Sequence, residues 1–138
     1  MKIAQAALDQ IRRHGEEGYP HEICGLMLGP RGGRGRVTEV HRARNIIVDR
    51  ARDRYEIDPH DQIRIQRDAD DRGLDIVGYY HSHPDHPARA SETDAQRSWA
   101  GVIYLIVSIQ QGQAVDENAF AAEADGGPMR SEPLEVST

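Results

Sequence analysis

The chain predicts an α/β fold, a mixed arrangement in which helices flank a sheet, and three observations carry this. Ile3, Ala7, Leu8 and Ile11 recur at helical spacing near the N-terminus. Leu74 to Tyr80 is rich in β-branched and aromatic residues and follows Gly73, which argues for a strand. Val102 to Ile109 is an almost unbroken apolar run of strand length, as a buried central strand requires.

In chain order, the first helix is expected to end near Gly15 or Gly18. Glu22 to Leu28 and Arg36 to Ala43, separated by Gly32, Gly33 and Gly35, read as a hairpin. Asn45 to Arg54 has few apolar anchors and many charges, so it reads as an exposed loop able to move. Asp58-Pro59 opens a second helix, because proline suits the first helical position. Ile63 is its expected apolar contact, and Asp68, Asp70 and Asp71 close it before Gly73. Pro84, which cannot donate to a ladder, marks the exit of the strand that follows. Ser91-Glu92-Thr93-Asp94 resembles a helix start with Ser91 as cap. Trp99 is expected in the core. Beyond Gly112 the tail suggests weaker edge strands around Ala119 to Glu123 and Met129 to Val136. No repeat or linker divides the chain, so residues 1–138 read as one domain, long enough to bury about two thirds of its unfolded surface.

Composition narrows the function classes. The net charge is −6, a poor basis for nucleic-acid binding. No run of about 18 apolar residues and no signal-peptide core are present, so no membrane partner and a cytoplasmic location are expected. One cysteine allows no internal disulfide, and Cys24 in an apolar strand reads as a buried small hydrophobe. Lys2 is the only lysine; arginines cluster at Arg31, Arg34 and Arg36, and at Arg42, Arg44, Arg50, Arg52 and Arg54. These read as solvated loop surface, and the second group also suits an acidic partner or its chain terminus, since guanidinium forks match carboxylates.

The chemistry concentrates in His81-Ser82-His83-Pro84, followed by Ser91 and Asp94. At i and i+2 on an extended chain, both imidazoles share one face while Ser82 points away. Asp94, on the first turn of the next helix, approaches from a second element. Two histidines and one carboxylate give three metal ligands and one open position, the arrangement of a catalytic site; closed structural zinc sites use four ligands. The plainer alternative is two surface histidines beside an ordinary capping box. His14, His21, His41, His60 and His86 read as surface histidines, with His86 near enough to touch a substrate. His21-Glu22 does not begin an H-E-x-x-H motif, because position 25 is glycine.

Taken together, Glu22 in its strand-like setting, His81-Ser82-His83-Pro84, Ser91 and Asp94 resemble the JAMM (MPN+) zinc metalloprotease family. Every position of that family's signature is matched in type and order. The resemblance implies a JAMM/MPN fold, a mixed sheet flanked by helices with cytidine-deaminase-like architecture. It also implies one Zn2+ held by His81, His83 and Asp94, with Glu22 as general base and acid. Ser91 would cap its helix and donate to the oxyanion. The implied reaction is hydrolysis of an amide or isopeptide bond beside the tail of a ubiquitin-like protein. The short length, Tyr55-Glu56-Ile57-Asp58-Pro59 and the helix from His60 to Arg72 resemble small bacterial members acting on sulfur-carrier proteins. The leading expectation is release of cysteine from a carrier-cysteine adduct, with general deconjugation or precursor processing as the alternative. A homodimer is one of the oligomeric states left open. Two other classes compete: a non-haem iron oxygenase, which also uses two histidines and a carboxylate, and a non-catalytic MPN interaction module, whose relatives lack the ligands. A zinc deaminase would need paired cysteines that this chain does not supply.

Overall fold

The structure, a computed structural model, describes residues 1–49 and 53–138. The chain runs β1 (Lys2–Ala4), α1 (Gln5–Gly18), β2 (Cys24–Pro30), β3 (Arg36–Val37), β4 (Glu39–Ala43), α2 (Pro59–Asp71), β5 (Leu74–Pro84), α3 (Glu92–Gln96), β6 (Ile103–Gln110), β7 (Gln113–Ala122), β8 (Met129–Glu132) and β9 (Glu135–Ser137). Six strands form the main sheet in the order β4-β2-β5-β6-β7-β8, and β3-β1-β9 form a small second sheet. Only β5 and β6 pair in parallel in the main sheet, which makes it mixed. Parallel neighbours need a long crossover. Here it spans residues 85–102 and carries α3.

The sheet buries both faces. On one, α1 lays Ala7, Leu8 and Ile11 against Met27, Tyr80, Leu105, Val107 and Ile109. On the other, Ile65 and Ala69 of α2 cover Cys24, Leu26 and Leu28. Side chains alternate along a strand, so consecutive residues of β5 serve opposite cores: Tyr80 faces α1 and Tyr79 packs beside α2. Tyr80 reaches its place because Gly25, its β2 partner, has no side chain; a Cβ there would stand 2.2 Å from the tyrosine ring.

Asp58 caps α2 by accepting from the His60 N–H at 2.8 Å, with Pro59 at the helix start as expected. Several expectations change. Ile3 is buried but belongs to β1, because its fit to the helical spacing reflects a shared core and not a shared helix. Ile63 is 50% exposed and Ile65 takes the core position, since α2 turns a different stripe inward. Trp99 is 62% exposed, not core. The returning half of the first hairpin is split: Arg36–Val37 pairs with β1, and Glu39–Ala43 with β2. The first tail strand is stronger than an edge strand, because Gln111 and Gly112, both at positive φ, turn β6 back into a ten-residue β7 that pairs along its length, whereas β8 and β9 lie at sheet edges as expected. No helix is long and apolar enough to cross a membrane among the described residues.

Candidate metal centre and cleft

Strand β5 presents the two histidines. Its neighbours are β2, where Cys24 pairs with His81, and β6, where Ile106 pairs with His81 and Ser108 with His83. His81 is fully buried, and His83 is half-buried at the strand's end. Ser82 faces the other way, and its hydroxyl has a task there. Its Oγ accepts from the Ile23 N–H at 2.9 Å while its own N–H donates to the Ile23 carbonyl at 3.1 Å. This clasp holds the residue beside Glu22. Glu22 lies just before β2, only 5% exposed, with its carboxylate and the two imidazoles offering ligand atoms within 4.8 Å of one another.

Asp94 arrives from α3. Its N–H donates to Ser91 Oγ at 3.0 Å and its Oδ2 accepts from the Ser91 N–H at 2.9 Å, a complete capping box. The same carboxylate faces the histidines: Oδ1 is 3.2 Å from His81 Nε2, and Oδ2 is 3.2 Å from His83 Nε2. The two Nε2 atoms are 3.3 Å apart. Capping box and ligand cluster are therefore one arrangement, although the sequence presents them as rival explanations. A tetrahedral ion with bonds of about 2.0–2.1 Å separates its ligands by roughly 3.3–3.4 Å. The spacing and the nitrogen and oxygen donor set fit a divalent metal. His83 is oriented from behind, its Nδ1 sharing a hydrogen bond with the Pro87 carbonyl at 2.9 Å, the usual outer support of a metal-binding imidazole.

The electrostatics follow from burial and these contacts. Burial would raise Asp94, but hydrogen bonds from His81, His83 and the Ser91 N–H outweigh it and hold the carboxyl far below its ordinary range. Burial lowers His81 against the pull of Asp94. His83 is also opposed by burial, yet Asp94, the Pro87 carbonyl and the charge of Glu22 keep it above its usual value. Burial pushes Glu22 up to about 8. Cys24, pushed by burial to about 12, is an inert thiol.

Glu22, His83 and Asp94 line a cleft of about 510 Å³ together with Arg54 and Tyr55, with Ser91, Thr93 and Arg97, and with His86 and Arg89. The segment carrying Tyr55 is closed at its neck. Asn45 Nδ2 donates to the carbonyls of Glu22 and Arg54 at 3.1 and 3.0 Å, and its Oδ1 accepts from the N–H groups of Ile47 and Glu56. Arg50 and Arg52 lie outside the described residues. Of the other arginines in that group, Arg42 pairs with Glu17 and Arg44 with Asp58 and Asp61. His14, expected at the surface, is buried and shares a hydrogen bond with Tyr80 Oη at 2.8 Å. Asn45 and Arg97 have no motif to betray them, and Tyr55 enters the sequence reading only within the Tyr55-Glu56-Ile57-Asp58-Pro59 resemblance, with no role at the site assigned to it.

Residues 4–122 match the family described as prokaryotic homologs of the JAB domain. A desampylase of Haloferax volcanii is 38% identical over 113 residues, covering 78% of this chain and 80% of that protein. A solution structure of a Salinibacter ruber protein superposes with a TM-score of 0.76 at 40% identity, covering 99% of this chain and 92% of the other. A JAB1/MPN domain protein from Archaeoglobus fulgidus shares the fold at 19% identity, TM-score 0.62, over 100% of this chain and 97% of that one. The chain belongs to the prokaryotic JAB-domain family and is a hydrolase of the JAMM metallopeptidase class.

Proposed function

We propose that the protein is a zinc-dependent hydrolase that cleaves the amide or isopeptide bond after the C-terminal Gly-Gly of a ubiquitin-like or sulfur-carrier protein. One observation carries this reading: His81, His83 and Asp94 stand at mutual separations of 3.2–3.3 Å, and His83, Asp94 and Glu22 line an open cleft with His81 buried just behind them. When bound there, zinc supplies Lewis acidity and makes water nucleophilic near neutral pH. Glu22, pushed up to about 8 by burial, would be drawn down by a cation bound beside it, and its carboxylate then takes a proton from the attacking water and returns it to the nitrogen of the leaving amine. Ser91 Oγ already accepts from a backbone N–H, so its own proton is left to donate to the substrate's carbonyl oxygen as charge develops. Asp53, Arg54 and Tyr55 line the cleft beside these groups, with the Tyr55 ring stacked on His81.

The cleft also bears on the leaving group. Arg54 is half-buried and Arg89 exposed, neither forms an ion pair among the described residues, and Arg97 donates only to the Tyr55 carbonyl. Unpaired guanidinium groups beside the reacting bond suit a small leaving amine with a free carboxylate, and carrier-bound cysteine is such a substrate. The similarity to a desampylase supports a second reading, removal of a ubiquitin-like protein from a lysine isopeptide. The test is to incubate zinc-loaded protein with carriers ending in cysteine, in a peptide extension or in a lysine isopeptide, and to identify products by mass. Free cysteine alone supports the first reading, and isopeptide cleavage the second. Activity undiminished after chelation overturns both.

A further inference from the structure

His81 lacks what His83 has. Its ring is fully buried, and its Nδ1 is the one buried side-chain nitrogen or oxygen without a hydrogen-bond partner among the described residues. A metal-binding imidazole normally donates its second N–H to a carboxylate, carbonyl or water, which fixes the ring's orientation. Here that anchor is missing, yet Nε2 is aimed at Asp94 and His83. What covers the ring is Tyr55, stacked on it with centroids 4.4 Å apart and planes 24° from parallel.

Tyr55 is itself held from several directions. Its carbonyl accepts from Arg97 Nη1 at 2.9 Å, which links the wall to the end of α3. The Asn45 clip grips the carbonyl of Arg54 and the N–H of Glu56, the residues on either side. Beyond them, Asn45 bridges to Ile57 and the Asp58 N–H donates to the Arg44 carbonyl. A ring clamped so firmly against an imidazole limits its rotation by packing alone.

We infer that Tyr55 is the positioning residue for His81, replacing by ring stacking the hydrogen bond that Nδ1 does not make, so that Tyr55 and the Asn45 and Arg97 contacts that hold it set the affinity and geometry of the metal site. The inference rests on His81 being a metal ligand, as read above. Its face does the work and its hydroxyl does not.

The experiment compares wild type with Tyr55→Phe and Tyr55→Leu, measuring zinc affinity by chelator competition and the visible absorption of the cobalt-substituted protein. Tyr55→Phe keeps the stacked ring and is expected within about 3-fold of wild type with an unchanged cobalt spectrum. Tyr55→Leu covers the imidazole without stacking and is expected to lose about 10–100-fold in affinity, the range seen when outer supports of metal ligands are removed, with a shifted spectrum. A leucine variant that is less heat-stable but equal to wild type in affinity and spectrum overturns the inference, since a structural role alone would give that result. A loss in Tyr55→Phe as large as in Tyr55→Leu also overturns it, by assigning the effect to the hydroxyl. Failure of wild type itself to bind metal sinks the metal-site reading, and this inference with it.

Discussion

Two buried imidazoles on opposite sides of one sheet each meet a tyrosine, and the contrast separates scaffold from chemistry. His14 of α1 stands edge-on to Tyr80, centroids 5.7 Å apart and planes 75° apart, and shares a hydrogen bond with its hydroxyl. Burial is the main cause that brings His14 down to about 4, so it is neutral near pH 7, a polar contact inside an apolar core. On the other face His81 lies flat under Tyr55, with one nitrogen unpaired and the other directed at a carboxylate and a second imidazole. The chain places both through adjacent residues, Tyr80 and His81, so a single strand separates them by its pleat alone. Burial does not mark a functional histidine; a nitrogen aimed at other ligands does.

The contrast can be tested most severely at Glu22. Glu22→Gln keeps the shape of the site but removes the proton carrier, and turnover is expected to fall by at least about 10²–10⁴-fold with zinc content unchanged, as steady-state rates and metal analysis would show. A variant with near-normal turnover would remove Glu22 from the mechanism. Next comes Ser91→Ala, which loses the proposed donor to the carbonyl oxygen and the cap together. About a 10²-fold drop in kcat is expected, along with about 1 kcal/mol of stability. Equal kcat with only the stability loss would leave Ser91 as a cap and nothing more.

Ser82→Ala probes the clasp behind the histidines. It strands the buried Ile23 N–H and should cost about 1–3 kcal/mol in urea unfolding, with a smaller effect on turnover through the neighbouring Glu22. On the scaffold side, His14→Phe should leave turnover unchanged and alter only the pH dependence of stability. The folded protein holds His14 down near 4, below the roughly 6.5 of an unfolded chain. Between those values the unfolded chain binds the extra proton, so this group's stability is present above about 6.5 and is lost as pH falls towards 4. Urea midpoints at pH 7 and 5 should show wild type losing about 1–2 kcal/mol more than the variant over that interval. Identical losses would mean that His14 is not held neutral by the fold.

What the sequence reveals follows how local each feature is. His81 and His83 share a strand face, and Ser91 and Asp94 share one helical turn, so short spacings expose them. Glu22 joins them only because β2 pairs with β5, and nothing near it in the chain announces that. The family resemblance supplied it. The stacking role of Tyr55 is less legible still, since it depends on how Asn45 grips Arg54 and Glu56 on either side of it. The errors share one cause. For Ile3, Ile63, Trp99 and His14 the sequence offers only spacing or residue type, which tell what can be buried but not which neighbour arrives to cover it. Ser82 shows the converse: strand alternation alone turns it away from the histidine face, while its partner on that side, the backbone of Ile23, is visible only in the folded register.

Helix α3 is five residues long and buries none of them, far too short to nucleate by itself. Its order is borrowed through Ser91, through Asp94 and its histidine partners, and through Arg97 at its end. Asp94, the proposed metal ligand, is thus also a contact that orders one cleft wall. Losing a proposed ion from this site would therefore loosen the wall that α3 forms, as well as the ligand set.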